Sequence, residues 1–157
     1  MLRKFLIVLL FTFSFSQVCL SAGTSDNSGS KADYFKKGAE LIKAAKKLDE
    51  KGKTKKALKR YERAKKYLLK ANKENPNKPD TLNYLGYATR KLGDFENAEK
   101  YYLQGLKIDP KHIGINEYLG ELYVKTNRIN LAKERLDVLM SCKCEEYGEL
   151  KELIEIN

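Results

Sequence analysis

Residues 79–112 read PDTLNYLGYATRKLGDFENAEKYYLQGLKIDPKH, and moving this stretch by 34 positions in either direction lays its landmarks on chemically similar residues. Forward, Leu85 falls on Leu119, Gly86 on Gly120, Lys91 on Lys125 and Ala98 on Ala132; backward, Ala98 falls on Ala64, Tyr102 on Leu68 and Pro110 on Pro76. A fixed period of this size signals an array of structural repeats. Glycine inside a helix costs about 1 kcal/mol relative to alanine. Its recurrence at Gly86 and Gly120 therefore marks a contact between helices that a side chain would obstruct.

The period and its landmarks resemble the tetratricopeptide repeat (TPR) family. With Pro79 as position one, Leu82, Leu85, Gly86, Ala98, Tyr102, Gly105 and Pro110 fit that family's pattern, and Thr89 departs from its usual Tyr. The next unit, residues 113–146, keeps Leu119, Gly120, Tyr123 and Ala132 but has Asn116 at position four, Leu136 at twenty-four, Leu139 at twenty-seven and Cys144 in place of Pro. It reads as a degenerate final repeat. The resemblance implies an all-α, TPR-type solenoid of about three helical hairpins closed by a C-terminal capping helix.

Hydrophobic periodicity supplies the other elements. Phe35, Gly38, Ala39, Leu41, Ile42, Ala45 and Leu48 recur at steps of three and four, then Gly52, Lys53 and Thr54 interrupt. Ala57, Leu58, Tyr61, Ala64, Leu68 and Ala71 follow, until Asn75 and Pro76 stop the helix. Residues 31–77 thus form a first hairpin, each of whose helices is seven residues longer than those of residues 79–112. Ser30 and Asp33 suit its start. The remaining pairs are expected near 80–92 with 95–108, and 114–126 with 128–141. Tyr147, Leu150, Leu153 and Ile154 share one face of a capping helix over residues 145–157.

Residues 1–22 have a basic start at Arg3 and Lys4, an apolar run from Phe5 to Phe15, and then small or polar residues. That is the layout of a secretory signal peptide, and the run is shorter than the roughly 20 residues of a spanning helix. Cys19 lacks the small residues that should precede a lipidated cysteine. Cleavage near Ser21 or Ala22 and a periplasmic or secreted product are expected. Residues 23–30, without an apolar side chain, read as a flexible linker.

Charge is polarised. Residues 31–77 hold 17 Lys and Arg against six Asp and Glu, a net of +11, whereas residues 78–157 hold 12 against 14. A basic first hairpin would attract an anionic membrane surface or acidic proteins. Nucleic acid is not expected, since no stacking platform accompanies the lysines.

Chemistry is sparsely represented. With one histidine, His112, in an inter-repeat turn, no catalytic triad can be assembled, and no Gly-rich phosphate loop is present. No enzymatic activity and no cofactor or metal is expected. Cys142 and Cys144 stand one residue apart and allow a closed turn, a redox pair or two thiolate ligands. In the TPR resemblance the first helices of each pair line a partner-binding groove, which falls here on Asp80, Asn83, Tyr87, Arg90, Lys91, Gly114, Glu117, Glu121, Val124 and Lys125. Asn83 with Tyr87, and Glu117 with Glu121, stand where some relatives grip a terminal carboxylate with Lys and Asn. The expected function is an exported adaptor or scaffold binding a protein or peptide in the cell envelope. An envelope-surface protein binding anionic lipid, and a thiol protein acting through Cys142 and Cys144, are the alternatives.

Overall fold

The structure, a computed structural model, describes residues 31–157, with side chains from Tyr34 onward. The expected signal peptide, the linker and the capping role of Ser30 lie outside the described residues. Seven helices follow one another: α1 (Lys31–Asp49), α2 (Thr54–Glu74), α3 (Pro79–Lys91), α4 (Phe95–Ile108), α5 (Ile113–Lys125), α6 (Ile129–Leu139) and α7 (Glu145–Glu155). The described chain is an all-α array of helical hairpins. The first hairpin is extended, its helices running 19 and 21 residues against 13 and 14 in the second.

The turn inside each hairpin repeats one device. Gly52 and Gly93 take left-handed conformations, with φ of +67° and +87°. Asn127 occupies the same place in the third hairpin at φ 58°. The amide after each reverses onto the preceding helix, as Lys53 N to Leu48 O, Asp94 N to Thr89 O and Arg128 N to Tyr123 O. Glycine reaches this region without penalty and Asn tolerates it. Asp94 then caps α4 by accepting from the Asn97 amide, and His112 caps α5 by accepting from the Ile115 amide.

Close approach explains the helical glycines. A methyl group on Gly86 would stand 2.4 Å from the wholly buried Tyr102 ring, and one on Gly38 would meet Leu68. Gly120 is filled differently, by Leu150 of α7. The degenerate repeat has Leu136 in place of an aromatic at position twenty-four, and Leu150 of the capping helix fills the space over Gly120 instead. Asn116, where an apolar residue was expected, is fully buried and donates to the carbonyls of Pro110 and His112. Its burial is therefore hydrogen-bonded, as a buried amide requires.

Neighbouring odd-numbered helices touch, α1 to α3, α3 to α5 and α5 to α7, whereas the even-numbered α2, α4 and α6 make no close approach to one another. An array packed tightly on one side and splayed on the other must curve, with α1, α3 and α5 on the inside. Two core regions run through it, one around Ile42, Tyr61, Leu68 and Leu85, the other around Tyr102, Leu106, Ile115 and Leu122.

Candidate functional site: the inner face of the array

The inner face is built on tyrosines. Tyr87 of α3 is only 6% exposed, and its ring lies 4.7 Å from that of Tyr118 on α5 and 6.0 Å from that of Tyr61 on α2. Phe35 meets Tyr84 edge-on at 5.6 Å beside this row. Cations stand over the rings. Lys46 Nζ is 5.4 Å from the centre of Tyr87 and 5.7 Å from that of Tyr118, and Arg90 Cζ is 5.3 and 5.6 Å from the same two centres. All four distances fall within cation–π range.

Ion pairs tie the inner helices together. Lys91 on α3 contacts Asp49 on α1 at 2.8 Å, and Tyr61 donates its hydroxyl to the same carboxylate at 2.9 Å. Arg90 on α3 pairs with Glu121 on α5 at 2.5 Å. Burial raises the Tyr87 and Tyr118 phenols above their ordinary range; around Tyr87, Lys46 pulls the other way, and at Tyr118 the carboxylates of Glu117 and Glu121 push further up. Both phenols stay neutral at physiological pH. The wall consequently offers ring faces, hydroxyl groups and cations, a set suited to carbonyl and carboxylate oxygens on a ligand.

A cleft of about 450 Å³ opens between the carboxyl ends of α3 and α5, lined by Arg90, Lys91, Phe95, Glu121, Val124, Lys125, Leu153 and Asn157. It combines three cations with one carboxylate and three apolar side chains. α7 forms its far wall, so the capping helix shapes the site as well as closing the core.

The groove positions expected from sequence divide into three groups. Tyr87, Arg90, Lys91, Glu121 and Lys125 lie together on the inner face or at the cleft. Asp80 lies apart, accepting a 3.1 Å hydrogen bond from His112 Nε2, whose other ring nitrogen already accepts from Ile115. Asn83, Gly114 and Glu117 are packing residues, and Val124, though mostly buried, also lines the cleft. Asn83 fills the space over Gly114, and Val124 is buried in the core around α5. Glu117 is 4% exposed beneath α7, its carboxyl hydrogen-bonded to Glu149 and close to Glu121 and Glu146. Burial first, and then the Glu149 hydrogen bond and these neighbouring carboxylates, push it up to about 9. It holds its proton at neutral pH and presents no charge to a groove.

Sequence reasoning missed Tyr84, Tyr118, Lys46 and Asp49. A signal for two of them existed, since Tyr84 falls on Tyr118 in the 34-residue shift. Lys46 and Asp49 lie in the extended hairpin, where the seven-residue insertions remove the register. Cys142 and Cys144 are joined by a disulfide across the turn between α6 and α7, around Lys143 at φ 53°.

The matched families and folds agree with this geometry. Residues 79–112 match the tetratricopeptide repeat model, and residues 35–92 match that of the MIT (microtubule interacting and transport) domain. No curated protein matches the chain by sequence. Among solved structures, a tetratricopeptide repeat protein from Parabacteroides merdae is 19% identical with a TM-score of 0.58, covering 84% of this chain and 47% of its own. The chain thus spans about half the length of that protein. The second TPR domain of human RPAP3, in complex with an HSP70 peptide, is 16% identical with a TM-score of 0.58, covering 80% and 98%. The Yersinia enterocolitica type III secretion chaperone SycD, in complex with a peptide of the translocator YopD, is 19% identical with a TM-score of 0.54, covering 75% and 89%. At these identities the likeness is one of fold.

Proposed function

We propose, for a chain whose residues 79–112 belong to the tetratricopeptide repeat family, that the inner face of α1, α3 and α5 grips an extended segment of a partner protein. The observation that carries this reading is the row Tyr61, Tyr87 and Tyr118 with Lys46 and Arg90 standing over it. Tyr61 and Tyr87 are buried and floor this row, whereas Tyr118 is half-buried and Lys46 exposed, so a peptide laid along α1 and α5 gains a ring face, a hydroxyl and a cation for its side chains and carbonyls. The cleft of Arg90, Lys91 and Lys125 favours an acidic residue or chain end at the α7 end of the segment. Two solved structures of the same fold carry peptides, which supports this mode of use.

The protein acts by holding and not by catalysis. The basic start, short apolar run and small residues of 1–22 support an exported adaptor in the cell envelope. A photo-crosslinking residue placed at Tyr118 or Lys125 in living cells should trap one partner. The same residue placed at Leu103, on the outward-facing α4, should not. Trapping from Leu103 alone would place the partner on the other surface and end this reading.

A further inference from the structure

The outer surface of α2 carries a pattern the groove does not use. Lys56, Lys59, Arg63, Lys66, Lys70 and Lys73 follow at steps of three, four, three, four and three, and all six are exposed. These steps place one cation on each turn along a single line about 25 Å long. The buried residues of the same helix, Ala57, Tyr61, Ala64, Leu68 and Ala71, run along the opposite side. The line therefore faces away from the inner groove.

The line is unneutralised. Elsewhere cations find carboxylates: Lys65 with Asp94, Lys91 with Asp49, Lys100 with Glu96 and Arg128 with Glu99. Among the described residues, none of the six on the line forms an ion pair; Lys70 instead lies 5.4 Å from the Tyr34 ring. Like charges at these helical spacings repel one another, so the arrangement weakens the helix it decorates. Two leucines flank it, Leu58 at 37% and Leu69 at 42% exposure. Leu69 and Tyr67 join Arg63, Lys66 and Lys70 around a shallow depression of about 440 Å³.

We infer that this face of α2 rests on an anionic lipid bilayer. The line lies on an outer helix and not in a groove, and the two aromatics beside it, Tyr34 and Tyr67, are stacked on each other in place of a base. Single-stranded nucleic acid would need an open stacking surface beside the cations. A plane of mobile anionic head groups needs no fixed register and matches a straight row of any spacing. Juxtaposed leucines reach the first acyl carbons while lysines stay among the phosphates, as amphipathic side chains do at such an interface. No described helix is long and apolar enough to cross a membrane. The groove on the opposite side is left open to a partner while the protein is bound.

Sedimentation of the full chain with vesicles tests this. Vesicles of about one third phosphatidylglycerol in phosphatidylcholine should carry the protein down at about 50 mM salt, pure phosphatidylcholine should not, and about 300 mM salt should release it. The variant K56Q/K59Q/R63Q/K66Q/K70Q/K73Q should bind at least about tenfold more weakly. The variant K78Q/K107Q/K111Q/K133Q/K143Q/K151Q, equal in net charge, should bind nearly as wild type does. All variants carry residues 1–22, so any contribution of that segment is common to them. Equal loss in the two variants, no loss in the first, or tighter binding to a nucleic-acid duplex or to a polyglutamate chain than to the vesicles at the same salt, overturns the proposal.

Discussion

Lys46 of α1 reaches past α3 to Tyr118 of α5, its ammonium 3.5 Å from a phenol oxygen 72 positions further along the chain. The first and third hairpins thus share one polar contact across the inner face of the second. The pair is partly open to solvent and adds little to folding. Lys46→Ala and Tyr118→Phe should each leave the unfolding free energy within about 0.5 kcal/mol of wild type. Unfolding beyond about 2 kcal/mol in either variant would make the pair a structural fastener and not part of a binding wall.

Glycine at position eight of the repeat should be the least replaceable small residue. Gly86→Ala brings a methyl to 2.4 Å from the Tyr102 ring, which is fully buried and has nowhere to turn. The overpacking should outweigh the gain in helix propensity and lower stability by about 1–3 kcal/mol. Gly105→Ala meets only the terminal methyl of Ile115 at that range, which a rotamer change can withdraw. Denaturant unfolding of both variants should rank Gly86→Ala as the more damaging, and the reverse order would refute the packing argument.

Glu117 gives the fold a pH dependence of known sign. Its carboxyl keeps its proton to about pH 9 in the folded chain, against an ordinary value of 4.5. The folded state therefore binds more protons between those two values. The stability this group contributes is full below about pH 4.5 and drains away as pH rises toward 9, at a limiting slope of about 1.4 kcal/mol per pH unit. Glu117→Gln keeps the hydrogen-bonding shape without the titration. Urea unfolding at about pH 5 and pH 8 should show a flatter profile in this variant, with a gain of up to about 4 kcal/mol at the higher pH. An unchanged slope would mean that α7 does not bury this carboxyl in solution.

The disulfide between Cys142 and Cys144 closes a very short loop, so it can remove little entropy from the unfolded chain. Replacing both with Ser should cost about 1–2 kcal/mol or less. The effect should concentrate in α7. Amide exchange at Leu150 and Leu153 should quicken in the variant while that at Leu68 and Leu85 stays as before. Uniform acceleration along the chain would show that the bridge serves the whole array.

Much of this was legible because repeats read out packing directly. The 34-residue shift located the turns, since Gly93 and Asn127 occupy equivalent left-handed positions. It also located the close approaches at Gly86 and Gly120. The groove was read less well, for a physical reason: a period tells which helix face a residue occupies but not what lies across from it. Glu117 and Glu121 are one turn apart on α5, yet α7 covers the first and Arg90 pairs with the second. That difference depends on the tilt of a helix some 30 residues away. Lys46 was missed because the longer first hairpin has no partner in the repeat against which to align it.

The central claim is that the inner face holds a partner segment, and calorimetric titration of the crosslinked segment measures this most directly. With the segment identified from the Tyr118 or Lys125 crosslink, wild type, Tyr118→Ala and Leu103→Ala should be titrated side by side. The account predicts that Tyr118→Ala weakens binding at least about tenfold while Leu103→Ala leaves it unchanged. Equal affinity in wild type and Tyr118→Ala, or a loss only in Leu103→Ala, would contradict it.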